Sequence, residues 1–251
     1  MIYAAERDAF HRDELDLLQE LAGNCAYGIR SIRDRTARDN ALQRWHASLE
    51  SAIDALAGTV ELRDPYTAGH QQRVATLAAA IGRELDLGGE QIQGLYLAGI
   101  VHDIGKIKIP AEILSRPGQL SDIELALIKT HPQAGHDILK GVDFPWPIAQ
   151  MVLQHHERLD GSGYPNRLRG DDILLEARIL AVADVAEAMM SHRPYRPALG
   201  LEAALREVEA HKGRRYDARV ADACIALFGR KGFRFDDAGP GKPQAPPSTP
   251  T

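Results

Sequence analysis

Ile92-Gln93-Gly94-Leu95-Tyr96-Leu97-Ala98-Gly99-Ile100-Val101-His102-Asp103-Ile104-Gly105-Lys106 is the stretch on which the reading of this chain turns. Ile92, Leu95, Ala98/Gly99 and Val101/His102 recur at helical spacing, the pattern of a helix with one buried face. Such a helix delivers an imidazole and a carboxylate at its C-terminal end. Adjacent helix residues point about 100° apart, so His102 and Asp103 do not share one narrow face, yet both reach a point beside the helix. That suits a metal ion better than a hydrogen-bonded pair. Gly105 is expected to let the chain turn away past the helix end, as glycines do there. Alone, a His-Asp pair reads as two solvated polar residues, so the rest of the chain decides.

Outward from this helix the pattern stays helical. Upstream, Asp64-Pro65 marks a helix start or kink. Val74, Leu77/Ala78 and Ile81 then form a core stripe, with His70 on the same inward face. Downstream, residues 107–118 read as a loop, because Pro110 and Pro117 exclude a long helix. Ser121-x-x-Glu124 is a capping box, expected to open one helix carrying Ile123, Leu127, Ile128, His131 and Ile138. Pro145 and Pro147 open another over 148–156, ending in His155-His156. Asp160-Gly161-Ser162-Gly163-Tyr164-Pro165-Asn166 is a turn-rich loop. A buried helix over 174–190 holds Asp184 in its middle, and two short amphipathic helices, about 201–212 and 217–229, follow. No segment of useful length has the period of a strand, so the predicted fold class is all-α, a helical bundle.

The ends differ from this middle. Residues 1–35 read as an amphipathic helix after a short extended piece, with Leu15, Leu18, Leu21/Ala22, Cys25 and Ile29 as its apolar stripe. Phe10-His11-Arg12-Asp13-Glu14-Leu15-Asp16-Leu17-Leu18-Gln19-Glu20-Leu21-Ala22, followed by Ala26-Tyr27-Gly28-Ile29, resembles the last strand and final helix of a GAF sensor domain. The stretch is far shorter than such a domain, so a remnant unable to bind a ligand alone is expected. Its exposed stripe is a candidate homodimer seam. Residues 36–54 continue as a helical linker, with Leu42, Trp45, Leu49 and Ile53 near heptad spacing. The effector domain is expected over 55–232. Residues 236–251 hold five of the fourteen prolines and read as a disordered tail.

Composition excludes several classes of function. The chain has 251 residues, enough for one full core. A net charge of −5 gives no bulk attraction for nucleic acid polymers or anionic membranes. Two scattered cysteines are too few for a disulfide framework and fit a reducing, cytoplasmic setting. No run approaches the length of a membrane span, and the N-terminus lacks the pattern of a signal peptide. The unusual feature is ten histidines.

Seven side chains are candidate metal ligands: His70, His102, Asp103, His131, His155, His156 and Asp184. Each has a bland alternative. A His on an apolar helix face is more often a satisfied core residue, a mid-helix Asp more often caps or pairs with Arg, and adjacent histidines fit a surface. Together, seven such groups on faces that otherwise look buried are costly without a shared partner. Imidazoles and carboxylates suit Fe, Mn or Zn, and the lack of thiolates argues against a structural zinc. Seven ligands are too many for one ion and about right for two, with Asp103 bridging. Two metals held close activate a water and clamp the attacking and leaving oxygens of a phosphoryl transfer.

His70, His102-Asp103 and Asp184 resemble the pattern of the HD superfamily of metal-dependent phosphohydrolases. His102-Asp103-Ile104-Gly105-Lys106-Ile107, His131-Pro132, His155-His156-Glu157-Arg158-Leu159-Asp160-Gly161-Ser162-Gly163-Tyr164-Pro165 and Arg193-Pro194-Tyr195-Arg196 together resemble its HD-GYP subfamily, over about residues 55–230. The resemblance implies hydrolysis of cyclic di-GMP to pGpG or GMP, an all-helical fold and a di-metal centre, often iron or manganese. It implies His70, His102, Asp103 and Asp184 around one metal, and Asp103, His131, His155 and His156 around the other. Lys106 is expected at the scissile phosphate and Arg193 and Arg196 at the substrate phosphates, where guanidinium geometry fits. Gly161, Gly163 and Pro165 would shape the loop, with Gly163 and Tyr164 against substrate. Glu157 and Glu187 either orient ligand imidazoles or lie exposed. Some members carry a Glu where this chain has Tyr66. A phenol titrating near 10 is a poor ligand at neutral pH, so two metals are expected, not three. Other cyclic nucleotides as substrate, or a receptor without turnover, are the alternatives.

Overall fold

A computed structural model describes residues 11–61, 69–116, 118–191 and 198–235. The chain divides into two compact units, Met1–Ser51 and Ala52–Thr251. Helix α1, Arg12–Glu61, runs without a break through the stretches read as remnant and linker. Its start is favoured by Asp13 and Glu14 in the first turn, where carboxylates complement the helix dipole. Glu14 also accepts a hydrogen bond from the His11 amide at 2.8 Å. In the first unit the helix leaves Leu15, Leu21, Ile29, Leu42 and Trp45 exposed. In the second, its last turns bury Ile53, Ala57 and Val60, a stripe at helical spacing.

The second unit continues with α2 (His70–Glu84), α3 (Gly89–Val101), α4 (Ala111–Leu114), α5 (Asp122–Ile128), α6 (His131–Leu139), α7 (Ile148–Gln154), α8 (Leu175–Met190), α9 (Leu201–Ala210) and α10 (Ala218–Gly229). Helices α2, α3 and α8 pack on one another, α7 bridges α6 to α3 and α8, and α9 and α10 cover α8. The core is aliphatic: Val74, Leu77 and Ile81 from α2, Leu95 and Ile100 from α3, Ile148 and Met151 from α7, Ile179 and Leu180 from α8. Burying each such side chain stabilises the fold by roughly 1.5–3 kcal/mol. Among the described residues the only β pairing is two isolated bridges, Asp160 with Arg169 and Lys212 with Tyr216. The fold is all-α, as predicted. No described helix is long and apolar enough to cross a membrane.

Three local expectations are corrected. Residues 107–118 are not a plain loop: a 3-10 turn spans Ile104–Lys108, and α4 follows directly after Pro110. Proline blocks a helix interior but is tolerated at a helix start. The helix expected from Ser121 is two helices. The capping box forms as predicted, Glu124 N donating to Ser121 Oγ at 3.3 Å, but α5 ends at Ile128 and α6 begins at His131. Pro132 is the cause. It stands four residues after Ile128, where a continuous helix needs an N–H donor, and proline has none. Gly105, finally, sits inside the 3-10 turn and has no positive φ. Its role is close approach, since a Cβ there would lie 1.9 Å from the His131 carbonyl oxygen. The tail over 236–251 lies outside the described residues.

Candidate metal centre

Helix ends build the cluster. His102 follows α3, and Asp103 and Lys106 come from the 3-10 turn behind it. His131 opens α6, His155 and His156 follow α7, and His70 opens α2. Asp184 comes from the middle of α8. The last carbonyls of a helix have no intrahelical donor, and three of these rings use such carbonyls. His102 Nδ1 donates to Gly99 O at 2.7 Å, His131 Nδ1 to Ile128 O at 2.8 Å, and His155 Nδ1 to Val152 O at 2.6 Å. The carbonyl that Pro132 leaves without a partner is the one that holds His131. Each bond fixes a tautomer with the Nε2 lone pair facing inward.

All seven predicted ligands come together. Their nitrogen and oxygen atoms form three groups within 4.8 Å: His131, His155 and His156; His70, His102 and Asp184; and His102, Asp103 and His155. Asp103 lies between the first two, with Oδ1 3.2 Å from His131 Nε2 and Oδ2 3.5 Å from His102 Nε2. His70 Nε2 is 3.3 Å from Asp184 Oδ1, and His156 Nδ1 is 3.9 Å from Asp184 Oδ2. Lys106 Nζ bonds Asp103 Oδ2 at 2.6 Å. His70, His102, Asp103, His131, His155 and Asp184 are buried.

The electrostatics suit cations. Burial pushes His155 down to about 3, helped by His102 and His131. Burial likewise lowers His131 and, assisted by His155, His156. These rings are neutral near pH 7, the form that ligates metal. Burial opposes the charge on Asp103, yet Lys106, His102 and His131 hold it well below the usual carboxylate range. Asp184 is held down the same way, chiefly by His70. His70 itself is raised: burial lowers it, but Asp184 and Glu187 prevail.

Metal ions fit this donor set. His102 Nε2 is fully buried with no hydrogen-bond partner, an arrangement that costs roughly 1–3 kcal/mol if nothing occupies its lone pair. That lone pair faces carboxylate oxygens of Asp103 and Asp184 at 3.5 and 3.9 Å. A buried imidazole lone pair that faces two carboxylates and has no donor of its own describes a cation site.

The two glutamates left open by sequence have separate structural jobs. Glu187 accepts from His70 Nδ1 through Oε2, and through Oε1 from Arg73 Nε and Ser191 Oγ, both at 2.6 Å. Glu157 touches no ligand imidazole by hydrogen bond. Its carboxylate receives the amides of Asn166 at 2.7 Å and Leu168 at 3.0 Å, pinning the loop that carries Tyr164. Gly163 passes so close that a Cβ would lie 2.4 Å from Glu157 Cα. The Tyr164 ring then rests on His156, centroids 4.7 Å apart. Sequence reasoning missed Arg73, Ser191 and Lys129, whose ammonium lies 5.5 Å from the Tyr164 ring centroid. Arg73 falls three residues after His70, and Glu187 three after Asp184, each pair on one helix face. That spacing was the available signal. Arg193, Arg196 and Tyr66 lie outside the described residues.

A family model described as HD domain matches residues 54–220. The chain is 41% identical over 175 residues to the cyclic di-GMP phosphodiesterase response regulator RpfG of Xanthomonas campestris pv. campestris, covering 69% of this chain and 46% of that protein. It is 39% identical over 172 residues to the 3′3′-cGAMP-specific phosphodiesterase 1 of Vibrio cholerae, covering 68% and 40%. The chain therefore spans under half the length of these two relatives. Among solved structures, Bd1817, a HDG"Y"P protein from Bdellovibrio bacteriovorus, shares the fold with a TM-score of 0.56 at 19% identity, over 73% of this chain and 64% of that one.

Proposed function

This chain belongs to the HD-domain family, and on that footing we propose that it is a metal-dependent phosphodiesterase hydrolysing cyclic di-GMP to pGpG or GMP. The observation that carries the reading is the convergence of seven candidate side chains into three neighbouring groups, with Asp103 set between His102 and His131. In this reading His70, His102, Asp103 and Asp184 hold one divalent metal, and Asp103, His131, His155 and His156 hold a second. Iron or manganese suits such a nitrogen and oxygen set. Bound there, two metals lower the pKa of a water and stabilise charge on the phosphoryl oxygens.

The chain's own residues do the rest. Asp103, ionised at working pH, would hold both metals between its two oxygens. Lys106, 2.6 Å from Asp103 Oδ2, sets an ammonium beside the bridge, where charge develops on a scissile phosphate. Tyr164, kept protonated chiefly by burial, forms an aromatic wall against which a base or ribose packs, and Gly163 leaves room for that loop. Arg193 and Arg196 take the substrate phosphates.

A homodimer through the exposed stripe of α1 is part of this reading, since helices draw most of their stability from packing an apolar face against a partner. So is a cytoplasmic location, supported by the sparse, scattered cysteines. The likeness to a relative named for 3′3′-cGAMP supports a second reading in which another cyclic dinucleotide is the substrate. Iron- or manganese-loaded protein incubated with cyclic di-GMP and with cyclic GMP-AMP, followed by product analysis, decides between them. No hydrolysis of either at full metal occupancy overturns the enzyme reading in favour of a receptor.

A further inference from the structure

We infer that the two candidate metal positions are inequivalent, and that Glu187 is a positioning residue that makes the His70–His102–Asp184 position the tighter one. The inference rests on the two-metal reading above. It begins with what lies behind each ligand. His102, His131 and His155 each place Nδ1–H on a neutral backbone carbonyl. His70 alone among these four places Nδ1 on a carboxylate, that of Glu187. A charged acceptor makes a stronger hydrogen bond than a neutral one and raises the basicity of the ligating nitrogen.

Glu187 is held for this task. It is fully buried, three residues after Asp184 on the same face of α8. Arg73 and Ser191 bind Oε1 and leave Oε2 to His70. A buried charge held on three sides is an expensive feature, and α8 is otherwise mostly alanine, valine and other aliphatics. Asp184 makes the first position the more anionic, while the charge of Glu187 is paired with Arg73 and acts through its bond to His70. The His131–His155–His156 position has neutral imidazoles and shares only Asp103, whose charge Lys106 partly offsets.

The test is a manganese titration of the full, metal-free chain by calorimetry, with folding checked by circular dichroism. Wild type is expected to show two affinity classes. Glu187→Gln should weaken the tighter class by about 10–100-fold and leave the weaker one unchanged. Glu187→Asp should restore part of the loss. Ser191→Ala, a milder change at the edge of the network, should weaken the same class by a smaller factor. His155→Ala should weaken the other class and so identifies it. Two equal classes in wild type, or a Glu187→Gln effect spread evenly over both, would overturn the inference alone. If Glu187→Gln fails to fold, a Ser191→Ala variant with wild-type tight affinity overturns it. No manganese binding by wild type overturns the two-metal reading beneath it.

Discussion

His131 Nε2 and His155 Nε2 stand 3.2 Å apart although neither ring has a proton to place between them. Both Nδ1 atoms donate to carbonyls, so two lone pairs face each other in a buried space. A cation relieves that repulsion. Manganese or ferrous iron is therefore expected to raise the melting temperature of metal-free protein, with a gain of about 2.7 kcal/mol at a hundredfold excess over Kd. His131→Ala and His155→Ala should each lower the metal stoichiometry from two towards one. A melting temperature indifferent to both metals would refute the argument.

Lys106 touches Asp103 but is not in the ligand set. Lys106→Met should keep both metals while lowering kcat by about 10²–10³, the usual loss when a charge-stabilising donor is removed. Metal analysis beside steady-state kinetics checks it. Loss of metal in step with loss of rate would instead make Lys106 a support for Asp103.

Much of this centre is legible in the sequence, because helices ending in His102-Asp103 and His155-His156 expose their chemistry as adjacent letters. The fold class follows from the 3.6-residue period for the same reason. What escaped were contacts between segments far apart in the chain. Glu157 binds the amides of Asn166 and Leu168, a loop folding back on its own start, which no local pattern encodes. Gly105 resembled a helix terminator, yet it is shaped by the carbonyl of His131, a residue on another helix. The break before His131 was legible in principle, since Pro132 cannot supply the amide that Ile128 needs. The continuing apolar period hid it: Ile123 and Leu127 match a core stripe, but the structure leaves them 82% and 37% exposed.

Acid should destabilise the metal-free protein. His131, His155 and His156 have folded pKa values below the 6.5 of an unfolded histidine. As pH falls through 6.5 the unfolded chain binds protons that the folded chain refuses, so stability declines. For His155 the decline extends to about pH 3. His70 acts oppositely: raised in the fold, it contributes stability that is full below 6.5 and lost as pH climbs through its folded value. Three groups outweigh one. Glu187, near 2 in the fold against 4.5, adds further loss below about pH 4.5. Urea midpoints of metal-free protein at pH 7.5 and 5.5 check the sign, and a higher midpoint at 5.5 would reverse it.

Gly105 and Gly163 offer a way to move the two walls of the site separately. In Gly105→Ala the new methyl meets the His131 carbonyl oxygen at 1.9 Å and the Gly135 amide nitrogen at 2.5 Å. Backbone on both sides leaves no flexible atom to yield, so α6 must shift. Overpacking of this kind costs about 1–3 kcal/mol, and a displaced α6 takes His131 with it. Stability and metal content should fall together. In Gly163→Ala the methyl meets the Glu157 backbone at 2.4 Å, and the loop carrying Tyr164 must lift. The proposed ligands His155 and His156 precede that loop, so metal content should change little while KM for the proposed cyclic dinucleotide substrate rises. Parallel thermal melts, metal analysis and kinetics on the two variants separate the effects. Equal metal loss in both would mean that the Tyr164 loop supports the ligands rather than the substrate.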